Sequence, residues 1–230
     1  MLINETFIMT PEIFEILKRE APYLIAMKVE DITKIPSVDD NDEIDEDPDY
    51  SIPDPTNEPV IGVIDTHFDK HVRFSKWVEY KNMQSKEIEL DPEDYDHGTM
   101  VSSIIVDGPT LNPRLQDNCG RFRVRHFGVA KKGVNSSSFI MDAIEKIVID
   151  NKDIKVWNLS LGSELEIDRN FISPEAAKLD SLQFNNDIVF IVSGTNKPEN
   201  KDYPKKIGAP ADSINSIVVA LLILLASTAE

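Results

Sequence analysis

The sequence predicts an α/β domain built on a parallel sheet with helices on both faces. Short apolar runs rich in Val and Ile recur at 60–64, 122–129, 154–159, 188–192 and 216–222, and helical patterns separate them at 97–106, 137–150 and 173–184. The runs at 60–64 and 188–192 are continuously apolar rather than alternating. That is how strands buried on both faces read, and covering both faces takes the crossover helices of a parallel sheet. Such a sheet presents its functional side chains at the carboxyl ends of its strands.

Taken in order, the chain opens with Thr10 as an N-cap, Pro11 at the first helical position, and Ile13, Phe14 and Leu17 on one face. This predicts a short helix over 11–20, with a strand over Tyr23 to Val29 behind it. Next comes Asp39-Asp40-Asn41-Asp42-Glu43-Ile44-Asp45-Glu46-Asp47-Pro48-Asp49. Its like charges repel, and Pro48, Pro53 and Pro55 bar regular structure, so it reads as a linker. It is no EF-hand loop, lacking the central glycine and the closing glutamate. The organisation expected is a helix–strand segment over 1–38, an acidic Pro-rich linker over 39–58 and one domain over 59–230.

Within that domain the run Val60-Ile61-Gly62-Val63-Ile64 is the first buried strand, ending at Asp65. In 97–106, Met100, Val101, Ile104 and Ile105 recur at helical spacing. In 137–150, Phe139, Ile140, Ala143, Ile144, Ile147 and Val148 form one stripe, leaving Asp142, Glu145 and Lys146 outside. The most apolar stretch, Ile217 to Ala226, has ten residues, about half of what spans a bilayer, so it reads as a buried strand or core segment.

Composition narrows the partners. With 230 residues the chain can bury one good core, and 41% apolar with 28% charged residues is ordinary for a globular protein. The net charge of −17, from 41 acidic against 24 basic residues, argues against nucleic acid or an anionic membrane, since phosphate recognition needs clustered Lys and Arg. Cys119 is alone, so there is no internal disulfide framework. Met1-Leu2-Ile3-Asn4-Glu5 lacks the basic-then-apolar build of a secretory signal, and a reducing cytoplasm is expected.

Four short segments carry chemistry. Asp65 stands where a buried strand ends. His97-Gly98-Thr99 opens a helical pattern. An imidazole becomes a useful general base when a buried carboxylate fixes its tautomer and stabilises the imidazolium, and Asp65 and His97 can meet in that way. Trp157-Asn158-Leu159-Ser160-Leu161-Gly162 is a strand running into a small-residue edge, suited to pairing with an extended peptide. Val189-Phe190-Ile191-Val192-Ser193-Gly194-Thr195-Asn196 delivers an amide just past a strand, where its N–H can stabilise an oxyanion.

In order and spacing these segments resemble the subtilisin-like serine peptidases, from about Pro59 to Val219. The family's acid lies in Asp-Ser/Thr-Gly; Asp65-Thr66 matches and His67 replaces the glycine. Its His-Gly-Thr is matched in full by His97-Gly98-Thr99, and its substrate-binding Ser-Leu-Gly by Ser160, Leu161 and Gly162. Its oxyanion asparagine falls at Asn196, with Thr195 intervening after Gly194. Ala209-Pro210 and the strand Ile217-Val218-Val219 resemble the segment that follows the oxyanion loop.

The resemblance implies a three-layer sandwich of subtilisin type, a serine endopeptidase working on protein or peptide through an acyl-enzyme, and no cofactor or metal. The family's nucleophile lies in Gly-Thr-Ser-x-Ala, and no Gly-Thr-Ser occurs in these 230 residues. Ser227-Thr228-Ala229 lacks the glycine, and Ser102 and Ser103 sit inside the His97 helix as small packing residues. The expectation is a domain incomplete at its C-terminus and inactive by itself. Two other readings stay open. Asp65, His67, Asp69 and His71 alternate densely enough for a metal-dependent hydrolase. A non-catalytic module could also keep the peptide groove without the chemistry.

Overall fold

The computed structural model describes residues 52–85, 87–111, 116, 119–131, 136–163, 166–168, 170–194 and 207–219. The expected segment over 1–38, most of the linker, Asn196 and Ser227 lie outside the described residues.

Six strands form one sheet: β1 (Val60–Asp65), β2 (Val78–Asn82), β3 (Arg123–Gly128), β4 (Val156–Leu159), β5 (Val189–Ser193) and β6 (Ile217–Val219). Their order is β2-β3-β1-β4-β5-β6 and every neighbouring pair is parallel. Parallel pairing leaves no room for hairpins, so the helices α1 (Asp96–Leu111), α2 (Ser137–Asp150) and α3 (Pro174–Asn186) lie between strands. β1 is central: β3 and β2 lie to one side of it, and β4, β5 and β6 to the other.

Neighbouring residues on a strand point to opposite faces, and β1 feeds two cores in that way. Val63 packs with Phe68, Phe74, Trp77, Val106 and Val124, against Val101 and Ile105 of α1. Ile64 joins Phe127, Trp157, Leu159, Phe190 and Val192, which meet Ile140, Ile144 and Val148 of α2 and Leu179 and Leu182 of α3. This gives three layers, as expected. The cover is uneven, however: α1 packs on β1 and β3, while Ile217, Val218 and Val219 of β6 are 54%, 37% and 57% exposed.

Gly62 brings β1 hard against β4. A Cβ there would lie 2.2 Å from the ring of Trp157, the largest fully buried side chain. α1 reaches past the expected 106 to Leu111, but Asp107 leaves helical geometry at φ −145°, ψ 30°, two residues before Pro109. A proline inside a helix removes a backbone donor and crowds the preceding turn, so the break falls ahead of it. α2 spans the expected residues. α3 starts with Pro174 after Ser173, whose hydroxyl accepts from Ala176 N at 3.1 Å. Among the described residues no helix is long and apolar enough to cross a membrane.

Candidate active site

Register sets which residues leave the sheet together. Asp65 pairs with Gly128, Ile64 with Leu159, and Leu159 with Val192. The ends of β1, β3, β4 and β5 therefore lie at one level, so Asp65, Ser160 and Ser193 emerge at the same carboxyl edge.

His97 is brought to that edge by the entry to α1. Pro92–Tyr95 forms one 3-10 turn closed by a capping box, in which Asp91 N donates to Asp94 Oδ2 at 2.9 Å. The carbonyl of Asp94 accepts from His67 N at 3.0 Å, tying this turn to the segment just beyond β1. α1 then begins at Asp96 with His97 in its first turn.

Each member of His97-Gly98-Thr99 has a physical task. A Cβ on Gly98 would fall 2.6 Å from His67 O, 2.8 Å from Thr66 O and 2.8 Å from the His126 ring, so only glycine lets α1 lie this close to β1. Gly98 N donates to Thr66 Oγ1 at 2.8 Å, and Thr99 Oγ1 accepts from Asp69 N at 2.9 Å. His97 meets Asp65.

Its Nδ1 stands 2.6 Å from Asp65 Oδ1, with the Asp65 side chain fully buried and that of His97 13% exposed. A carboxylate only accepts, so Nδ1 carries the hydrogen, and in neutral His97 the lone pair is on Nε2, the arrangement of a general base. Burial works against a charged imidazole here, but the hydrogen bond and negative charge of Asp65 outweigh it and raise the His97 pKa above its ordinary 6.5. Asp65 is held in turn by Thr66 N, which donates to the same Oδ1 at 2.6 Å. Its Oδ2 is buried and has no hydrogen-bond partner among the described residues.

Ser160 follows directly on β4, its hydroxyl donating to Asn158 Oδ1 at 2.9 Å. Leu161 is 1% exposed, so its side chain belongs to the core, where it joins the cluster under α2 and α3. The chain here also braces its neighbour: Ser163 N donates to Ala209 O at 2.7 Å, next to the cis peptide Ala209-Pro210. β5 carries the chain to Gly194 at the same edge, and Asn196 lies outside the described residues.

The metal arrangement does not assemble. Both ring nitrogens of the buried His67 are engaged, Nδ1 with Tyr80 Oη at 2.6 Å and Nε2 with Gln84 Oε1 at 3.1 Å, while Asp65 is committed to His97. Asp69 holds His71 N at 2.9 Å in a local turn. Among the described residues no three His, Cys, Asp or Glu converge as a metal site. The alternation of those four residues is a solvated loop for Asp69 and His71, and a packed interior for His67.

Near the pair, one residue and the role of another are new. His126, on β3, is fully buried, with Nε2 2.7 Å from Thr66 O and Nδ1 2.9 Å from Ser102 Oγ. Ser102 is therefore more than the packing residue expected from its place in α1. Ser103, by contrast, returns its hydroxyl to Met100 O at 2.7 Å, a local helix bond. Nothing in the sequence around Arg125-His126-Phe127 marks the histidine, because its partners lie 24 and 60 residues away.

Comparison with solved structures returns subtilisin-like proteases. A mutant of the epidermin leader peptide processing serine protease of Staphylococcus aureus aligns with a TM-score of 0.50 and 17% identity, covering 70% of this chain and 45% of that one. The nisin leader peptidase NisP of Lactococcus lactis gives 0.47 and 16%, covering 72% and 56%. The psychrophilic subtilisin-like protease Apa1 of Pseudoalteromonas sp. AS-11 gives 0.47 and 17%, covering 70% and 35%. This chain thus spans between a third and somewhat over half of the length of those proteins. No curated protein matches it. The subtilase family model matches residues 56–223, a span that takes in every described strand and helix and the whole Asp65–His97 pair, and on that match the chain belongs to the subtilase family.

Proposed function

We propose that these residues form the acid–base half of a serine endopeptidase of subtilisin type. The observation that carries the reading is the 2.6 Å bond from His97 Nδ1 to the buried Asp65, at the carboxyl edge of a parallel sheet. Asp65 orients the ring and stabilises its charged form; His97 Nε2 takes the proton from a serine hydroxyl as it attacks the peptide carbonyl, then returns it to the leaving amine. The acyl-enzyme so formed is hydrolysed by water through the same base.

Gly-Thr-Ser is absent from the sequence, so the attacking serine of this reading has no counterpart among these 230 residues. Asn196 serves as an oxyanion donor, and the chain at Ser160, Leu161 and Gly162 offers main-chain hydrogen bonds to an extended protein or peptide substrate. The net charge of −17 disfavours nucleic acid and anionic membranes as partners, and a single cysteine suits the reducing cytoplasm.

A fluorophosphonate probe tests the reading. It is expected to label the longer gene product at a serine, to leave the 230-residue chain unlabelled, and to lose the signal in His97→Ala. A longer product that stays unlabelled would favour a peptide-binding module without chemistry.

A further inference from the structure

We propose that His126, which takes no part in proton transfer, is a positioning residue that holds the Asp65-Thr66 segment in the backbone placement where Asp65 meets His97. The role serves the peptidase reading above, but the placement itself is open to measurement without turnover.

The protonation pattern follows from its partners. The Thr66 carbonyl at 2.7 Å only accepts, so His126 Nε2 carries the hydrogen. Nδ1 is then an acceptor, and Ser102 Oγ at 2.9 Å donates to it. A neutral ring is required, and the site provides for it. Burial depresses the His126 pKa, and His67 and His97 nearby push the same way, against the opposing pull of the Thr66 carbonyl and Asp65.

Thr66 is thereby fixed at three points. Its N–H donates to Asp65 Oδ1 at 2.6 Å, its Oγ1 accepts from Gly98 N at 2.8 Å, and its carbonyl accepts from His126. The last two, with the Ser102–His126 bond, close a loop through three elements: from the end of β1 to His126 on β3, to Ser102 on α1, and back along α1 to Gly98 beside His97. Without His126, the Thr66 carbonyl is a buried acceptor with no partner in that loop; the Asp65–Thr66 peptide keeps the bond from Val129 N to Asp65 O and the next peptide that from His67 N to Asp94 O, but the hold on Thr66 O itself is lost. On the far side, Tyr80 and Gln84 hold the His67 ring, and the Asp94 carbonyl accepts from His67 N, which shares a peptide unit with the Thr66 carbonyl but gives that oxygen no donor, so it does not substitute for His126.

The test compares His126→Gln with His126→Met in the 230-residue chain. The two side chains are similar in size, and only glutamine offers an N–H at the position of Nε2. Imidazole NMR titration reads the pKa of His97, and the downfield Nδ1 proton reads its bond to Asp65. Expected in His126→Met is a His97 pKa lower by about half a unit or more, with the downfield proton lost or broadened, and recovery of both in His126→Gln.

Ile144→Val, a core change in α2 remote from this loop, is expected to lower the melting temperature without moving the His97 pKa. Unchanged His97 titration in a folded His126→Met protein would overturn the proposal, as would an equal pKa shift in Ile144→Val. Should His126→Met not fold, Ser102→Ala decides. A lowered His97 pKa there supports the role and an unchanged one removes it. A longer gene product that resists the fluorophosphonate probe, while His97 responds to His126 as expected, would sink the peptidase reading and leave the positioning role standing.

Discussion

Asp65 has two effects on His97, since its hydrogen bond selects the tautomer and its charge overcomes the burial that would otherwise keep the ring neutral. Asp65→Asn removes the charge and leaves the burial, so the His97 pKa is expected to fall from above 6.5 to below it, as read by NMR titration. In a longer gene product that the fluorophosphonate probe labels, the same change is expected to cost on the order of 100- to 10,000-fold in turnover. The raised pKa also has a stability sign. Its contribution is fully present below the unfolded value of 6.5 and is lost as pH rises through the folded pKa. Denaturant titrations should therefore show the stability gap between wild type and His97→Gln narrowing as the buffer is made more alkaline. At this scale the sequence exposed Asp65, His97 and Gly98 through their local neighbours. Gly62 and His126 were invisible because what constrains them is a Trp157 ring on another strand and a carbonyl 60 residues away. Gly62→Ala forces a methyl into that ring and is expected to cost about 1–3 kcal/mol in chemical denaturation.

Elements were legible where one periodicity ruled alone. α2 took its expected span and buries Ile140, Ile144, Ile147 and Val148 of its apolar stripe, while Phe139 is exposed and Met141 is buried instead, and β1 followed its apolar run. β2 went unread because Val78-Glu79-Tyr80-Lys81-Asn82 is an edge strand: polar residues are tolerated on an edge, and composition then gives no signal. α3 offers a direct test of its own ends. Asp187 terminates it at φ 52°, ψ 56°, a left-handed conformation that costs an ordinary residue about 1 kcal/mol and glycine little, and its side chain is fully exposed with only a 3.8 Å pairing to Lys155. Asp187→Gly should therefore raise stability by about 0.5–1 kcal/mol. At the other end, Ser173→Ala removes the cap to Ala176 and the hydroxyl bond to Asp212, and should lower stability by about 1–2 kcal/mol. Thermal melts of the two variants should move in opposite directions.

For the molecule as a whole, parallel-sheet architecture followed from alternating runs, whereas the strand order, with β1 in the middle, did not, since no local signal tells a strand which neighbours it will have. The same central position collects three histidines around one carboxylate, and they titrate with opposed signs. Burial lowers the pKa of His67 and of His126, so for these the unfolded chain binds protons first and stability falls as pH drops below 6.5; His97 acts the other way. Since the His97 contribution is already complete below 6.5, the other two decide, and the melting temperature is expected to decline between about pH 6.5 and pH 5, and to decline less steeply in His126→Gln.

Because every strand runs the same way, the sheet has a working rim and an idle one. The idle rim includes the turn Asn151-Lys152-Asp153 leading to β4, where Lys152 projects into solvent a full strand length from the level of Asp65. A fluorophore or surface-immobilisation tether placed at Lys152 would leave His97 unobstructed, making this turn the natural attachment point for real-time binding measurements.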